Sequence, residues 1–187
     1  MPARSCAVLG ILALLTGQAA AASAPAGLLG KSVIVSWSES RQQTFEGESQ
    51  PVYRSVSRQL SIYISSAGRS FTRMQMHASG SGRLPARSLS ATVERAPDDP
   101  SGGRPGALHF EGGALIIDTQ LNSGARRLTI TFDGAFASCN ARVIYGREGG
   151  APIRTTSMIN KRRLQVNSLE TSAPRCVVRD GNVFAGQ

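Results

Sequence analysis

Arginine is the residue whose placement in this chain invites chemistry. Between Val52 and Ile64 the even positions read Val52, Arg54, Val56, Arg58, Leu60, Ile62 and Ile64, and the odd positions read Tyr53, Ser55, Ser57, Gln59, Ser61 and Tyr63. Alternate residues of a strand share a face, so Arg54 and Arg58 fall on the apolar one. An ionised guanidinium is not buried without a partner. Three explanations stand. The two arginines meet an anionic ligand in a cleft or barrel mouth; a bulge near Ser57 or a strand end turns them into water; or they are held by a structural ion pair with a residue such as Glu39 or Glu94. Arg69 and Arg73 follow on the next strand. If the two strands form a hairpin, the candidate ligand-binding set is Arg54, Arg58, Arg69 and Arg73.

Other chemistries lack their parts. Only two histidines occur, His77 and His109, too few and too far apart for a zinc site. Met74-Gln75-Met76-His77 offers thioether and imidazole donors suited to Cu(I). Period 2 separates His77 from the methionines, however, and core packing of Met74 and Met76 is the simpler reading. Gly80-Ser81-Gly82 lacks the spacing of a nucleophile elbow, and there is no phosphate-binding glycine loop. Asp98-Asp99 reads as a solvated turn rather than a glycosidase pair. No metal or other cofactor is therefore expected, and no catalytic residue is assigned.

The N-terminus reads as an export address. Arg4, the apolar run Ala7–Leu15 and the small residues 18–24 follow the order of a secretory signal peptide. Cleavage after Ala22 gives a signal peptide over 1–22 and a single exported domain over 23–187. The run is too short to span a membrane, and no second one approaches spanning length, so the product is expected to be soluble and periplasmic or extracellular. The charge of +9 becomes +8, and 41% apolar residues become roughly 37%. Of the remaining cations 18 are arginine and only Lys31 and Lys161 are lysine, a bias that also fits a GC-rich coding sequence. With export and only ten aromatics, this argues against nucleic acid and for anionic envelope components or lipid head groups as partners, or for another exported protein. Cys6 leaves with the leader, and Cys139 and Cys176 are expected to form one disulfide. Closing about 38 residues, the bridge is worth roughly 4 kcal/mol.

The elements that must position these groups are strands. Leu89, Ala91 and Val93 alternate with Ser88, Ser90 and Thr92, and Leu128, Ile130 and Phe132 alternate with Thr129, Thr131 and Asp133. Strands are also predicted over 32–38, 52–65, 70–77, 106–110, 114–120, 141–146, 153–159, 163–168 and 176–179. The part from about 106 to 147 forms a four-stranded antiparallel meander, with turns at Glu111-Gly112-Gly113, 122–125 and Asp133-Gly134. Gly149-Gly150 reads as a further turn and Asp180-Gly181 as a two-residue hairpin. Residues 159–169 are the one stretch compatible with a short helix, and 95–106 reads as a long irregular loop. The fold class is all-β, an antiparallel barrel or sandwich of about 8–10 short strands. The Gly-x-Trp of lipocalin barrels is absent, and so is the Cys–Trp–Cys order of immunoglobulin sandwiches.

The segments GKSVIVSWSE (30–39) and ARRLTITFDGAFASCNARVIYGREG (125–149) resemble small exported bacterial proteins with no assigned function. The resemblance implies an exported β-domain and supplies no catalytic residues. Three functional readings follow: a non-enzymatic binder of an anionic small molecule, glycan or envelope component; a structural or protein-interaction module; and a hydrolase without a recognisable motif. A deep cleft with two facing acids, or a Ser–His contact, would favour the last.

Overall fold

A computed structural model describes residues 24–80, 84, 86–95, 107–121, 124–146, 156–159 and 162–185. The proposed leader, the Asp98-Asp99 loop, the 122–123 turn, Gly149-Gly150 and the start of the 153–159 segment lie outside these residues.

Alternation organises the first strand, β1 (Lys31–Phe45). Val33, Val35 and Trp37 are buried on one face, and the same parity then continues through Glu39 and Gln43 to Phe45. The strand is therefore 15 residues long, well beyond the predicted Ser38. It is followed by β2 (Val52–Ile64), β3 (Ser70–Ala78) and β4 (Arg87–Arg95), then the meander β5 (Ala107–Glu111), β6 (Ala114–Leu121), β7 (Gly124–Phe132) and β8 (Cys139–Tyr145). The chain returns through β9 (Thr156–Ile159), β10 (Arg162–Thr171) and β11 (Arg175–Asp180). The structure thus has 11 strands among the described residues. The stretch conceded as a possible helix is strand β10, where Leu164 and Val166 are buried between exposed neighbours. Asp180-Gly181 is not a hairpin turn: Gly181 donates to the Gly30 carbonyl, and a turn over 183–185 follows instead of a strand.

Two antiparallel sheets result. One runs β4-β3-β2-β1-β10-β9, with β11 also paired to β1; the other runs β5-β6-β7-β8. Among the described residues no pairing closes a barrel. The core lies between the sheets, where Val33, Val35, Leu60, Ile62 and Ile64 of the first meet Phe110, Leu115, Ile117, Leu128 and Ile130 of the second. Gly112 and Gly113 take φ of 57° and 81° between β5 and β6, the backbone of a tight primed hairpin that side-chain-bearing residues resist.

Strands β10 and β11 lie along the same side of β1, with a break between them. β10 pairs with the far half of β1 (Glu39↔Thr171) and β11 with the near half (Ser36↔Arg175). Residues 172–174 therefore face only two on β1. Pro174 has no N–H for the ladder, and Ser172 covers the gap: its N–H donates to Ser38 O, and its hydroxyl accepts the Ser38 N–H at 2.9 Å. Cys139 of β8 is bonded to Cys176 of β11, which staples the two sheets on this side.

Candidate functional site

The four arginines predicted as one site divide between the two faces of the first sheet. Register is the cause. The turn after β2 places Ile64 opposite Ser70, so Arg58 pairs with Met76 and Arg73 with Ser61. Residues at one face of β2 are thus matched to even positions of β3, and Arg73 stands on the opposite side from Arg54 and Arg58. Arg69 lies in the turn, with its guanidinium 5.8 Å from the Phe71 ring centroid. Met74 packs against the core while His77 is exposed on the outer face, the separation that period 2 predicts. Among the described residues no group of three His, Cys, Asp or Glu side chains converges as a metal site.

The inner-face arginines occupy a polar cluster at the end of the core. Glu39, 1% exposed, is its centre. Its Oε1 accepts hydrogen bonds from Arg58 Nε, the Tyr145 hydroxyl and Trp37 Nε1. Its Oε2 accepts from Arg41 Nε at 3.0 Å and from Arg58 Nη2 at 3.5 Å. The ion pair with Glu39, one of the three explanations for the misplaced parity, is what Arg58 makes. Arg54 instead donates from Nε to Ser79 O at 3.1 Å. Burial, together with the charges of Arg41 and Arg87, holds the Arg54 pKa below its ordinary value. From the second sheet Arg126, 5% exposed, lays its guanidinium 5.4 Å from the Trp37 ring centroid and reaches Thr119 Oγ1 at 3.4 Å.

Burial by itself raises the Glu39 pKa, but the Arg58 charge and hydrogen bond, the Arg41 charge and the Tyr145 hydrogen bond outweigh it and hold the carboxyl below its usual 4.5. In acid the unfolded chain then binds this proton more readily than the folded one. The stability that Glu39 contributes is complete above about pH 4.5 and is lost as pH falls through the folded value. Urea midpoints followed from about pH 7 to about pH 3 should decline, and the decline should be shallower in Glu39→Gln.

Sequence reasoning named Glu39 but missed Arg41, Arg126 and Tyr145. The signal was present: Arg41 continues the Val33–Val35–Trp37 parity, Arg126 shares that of Leu128 and Ile130, and Tyr145 that of Val143.

The outer face of the first sheet is different in kind. Cross-strand rungs there are built of small polar residues. One runs Arg175–Ser36–Gln59–Gln75–Ser90 across five strands, and the next runs Ser38–Ser57–His77–Ser88. Gln59 Nε2 donates to Gln75 Oε1 at 3.2 Å. Short side chains leave an open groove of about 730 Å³ over these rungs, bounded by Ser172 and Arg175. A second hollow of about 270 Å³ shares Gln59 and Gln75 and adds Arg73, Arg179 and Phe184. Arg73 lies 4.8 Å from the Phe184 ring centroid. No lining residue of either hollow is acidic, and four are arginines, Arg58 and Arg175 in the larger and Arg73 and Arg179 in the smaller. With strands about 4.8 Å apart, five strands span about 19 Å.

This face also holds a Ser–His contact, Ser88 Oγ to His77 Nδ1 at 2.9 Å. No carboxylate among the described residues contacts His77 to orient it. The main-chain N–H groups around it are committed to the β2–β3–β4 ladders rather than aimed at an oxyanion. The pair lacks the supporting groups of a nucleophile and reads as a cross-strand hydrogen bond.

Fold and site together define an all-β sandwich with a basic, hydroxyl-rich outer groove and a charged cluster between its sheets. No protein-family model, curated protein or solved structure matches the chain.

Proposed function

We propose that this protein is an exported, non-enzymatic binding domain whose ligand is an anionic glycan of the cell envelope, held across the outer groove. The observation that carries the reading is the groove's composition: a floor of serine and glutamine, four arginines, and no acid in either hollow. Hydroxyl and amide groups match the many hydroxyls of a sugar chain, and guanidiniums match carboxylate or phosphate substituents bidentately. Phe184 at one end, and the stacked Tyr63 and Phe71 one rung further on, give apolar surface for sugar faces. Export is supported by the leader-like N-terminus and by the Cys139–Cys176 bridge, which suits an oxidising compartment. No helix among the described residues is long and apolar enough to cross a membrane.

The test is retention on an immobilised polyuronate, with a neutral dextran as control. The wild-type protein should bind the polyuronate and elute with salt, because screening weakens exposed charge contacts. Arg175→Glu with Arg179→Glu should weaken binding by about tenfold or more. Retention unchanged by both reversals would remove the groove as the site.

A further inference from the structure

The interior cluster carries a second inference, independent of the outer groove. We infer that the surroundings of Arg126, buried between the two sheets with one donor unmet, form a binding site for a small oxyanion, a carboxylate or a phosphate.

The argument is one of charge and of donors. Three guanidiniums, Arg41, Arg58 and Arg126, converge on one carboxylate. Both oxygens of Glu39 are already taken up by Arg58, Arg41, Trp37 and Tyr145, so nothing of it remains for a third arginine. Arg126 is 5% exposed, and its Nη1 is buried with no hydrogen-bond partner. Its other contacts are the Thr119 hydroxyl, the face of Trp37 and the Tyr145 hydroxyl, none of which carries charge. Burial pushes the Arg126 pKa down, and the Tyr145 oxygen and Glu39 offset it only in part against the Arg58 charge. A buried donor on a buried cation is costly to leave unmet. An oxyanion answers both needs, since it brings a negative charge and several acceptor oxygens that a guanidinium fork binds directionally. A halide brings only the charge.

Trp37 is the chain's single tryptophan and stacks on Arg126, so its fluorescence reads this site, and because Trp37 also borders the outer groove the Arg126 variants decide which of the two responds. The purified protein is titrated with sodium acetate, sodium phosphate and sodium chloride at constant ionic strength. A saturable emission change is expected with acetate, phosphate or both, with a midpoint of about 1 mM or below. The acetate and phosphate arms distinguish a carboxylate from a phosphate ligand. Chloride should give none. Arg126→Gln should raise the midpoint at least about tenfold or abolish saturation. Arg126→Lys, which keeps the cation but loses the fork, should do the same and covers the case in which the glutamine variant does not fold. Arg127→Gln, beside Asp118 on the opposite face, should titrate like wild type. A flat wild-type titration would overturn the proposal, and that is the result if a carboxylate of the chain itself meets the Arg126 donor. So would an equal response to chloride, or titrations of Arg126→Gln and Arg126→Lys that match wild type. Retention on polyuronate is read separately, so either proposal can fail while the other stands.

Discussion

Glu39→Gln is expected to cost about 3–5 kcal/mol of folding stability, the range seen when one partner of a buried ion pair is removed. For a domain of this size each kcal/mol moves the midpoint by about 2–4 °C, so a fall of roughly 10 °C should appear in calorimetry. The magnitude follows from what is left behind. Arg58, with a side chain 10% exposed, loses the group that meets its Nε, and Arg41 loses its Oε2 contacts. Tyr145 and Trp37 lose an acceptor as well. Three guanidiniums then share a low-dielectric space with no carboxylate from the cluster. The effect is one of imbalance, not of lost attraction alone, and a second variant separates the two. Arg58→Met in the Glu39→Gln background should recover part of the loss, because it removes a charge that has no partner. A Glu39→Gln protein within about 0.5 kcal/mol of wild type would show that the cluster is hydrated rather than buried.

Removing the Cys139–Cys176 bridge is the second large expected effect. The two residues are 37 positions apart, and their linkage joins β8 of one sheet to β11 of the other. Chain entropy assigns such a loop about 4 kcal/mol, and losses of native bridges run about 2–5 kcal/mol. The structural consequence should be local to one edge. β11 pairs only with residues Lys31–Ser36 of β1, and the chain before it is irregular at 172–174. Without the staple this six-residue strand is held, among the described residues, by one ladder alone, its pairing with β1. Equilibrium unfolding of a Cys139→Ala/Cys176→Ala variant should show the lower midpoint. Amide exchange should accelerate first along β11, and with it at the Arg175 and Arg179 rim of the groove. Protection in β11 equal to wild type would show that packing against Val33 and Val35 suffices.

How far the sequence reveals this molecule depends on which physical rule governs each part. Period 2 with β-branched residues placed the meander and most strand cores, because each such strand has one wet and one dry face. It failed for the second half of β1, where Glu39, Arg41 and Gln43 sit at core parity and disguise a buried face as a polar loop. It left β10 ambiguous because, among the described residues of INKRRLQVNSL, only Leu164 and Val166 are deeply buried. The pairing of β10 with β1 joins residues more than a hundred positions apart, which no local pattern encodes. Arg54 and Arg58 were rightly marked as out of place, and one of the three explanations, the Glu39 ion pair, holds for Arg58. Grouping them with Arg69 and Arg73 failed on register. A hairpin brings strands side by side, but the length of its turn decides which residues share a face. The outer groove was hidden for the opposite reason, since its serines and glutamines look like an ordinary solvated face until five strands are laid edge to edge.

The claim that the outer face binds an anionic glycan is tested most directly by nuclear magnetic resonance on the isotope-labelled protein during titration with an oligouronate. The expected result is saturable shifts of the Gln59 and Gln75 side-chain amides, the His77 ring and the Arg175 and Arg179 guanidiniums, with the core methyls of Leu115, Leu128 and Ile130 unmoved. Shifts absent from these outer-face groups, or reproduced equally by a neutral dextran fragment or a short DNA strand, would contradict it.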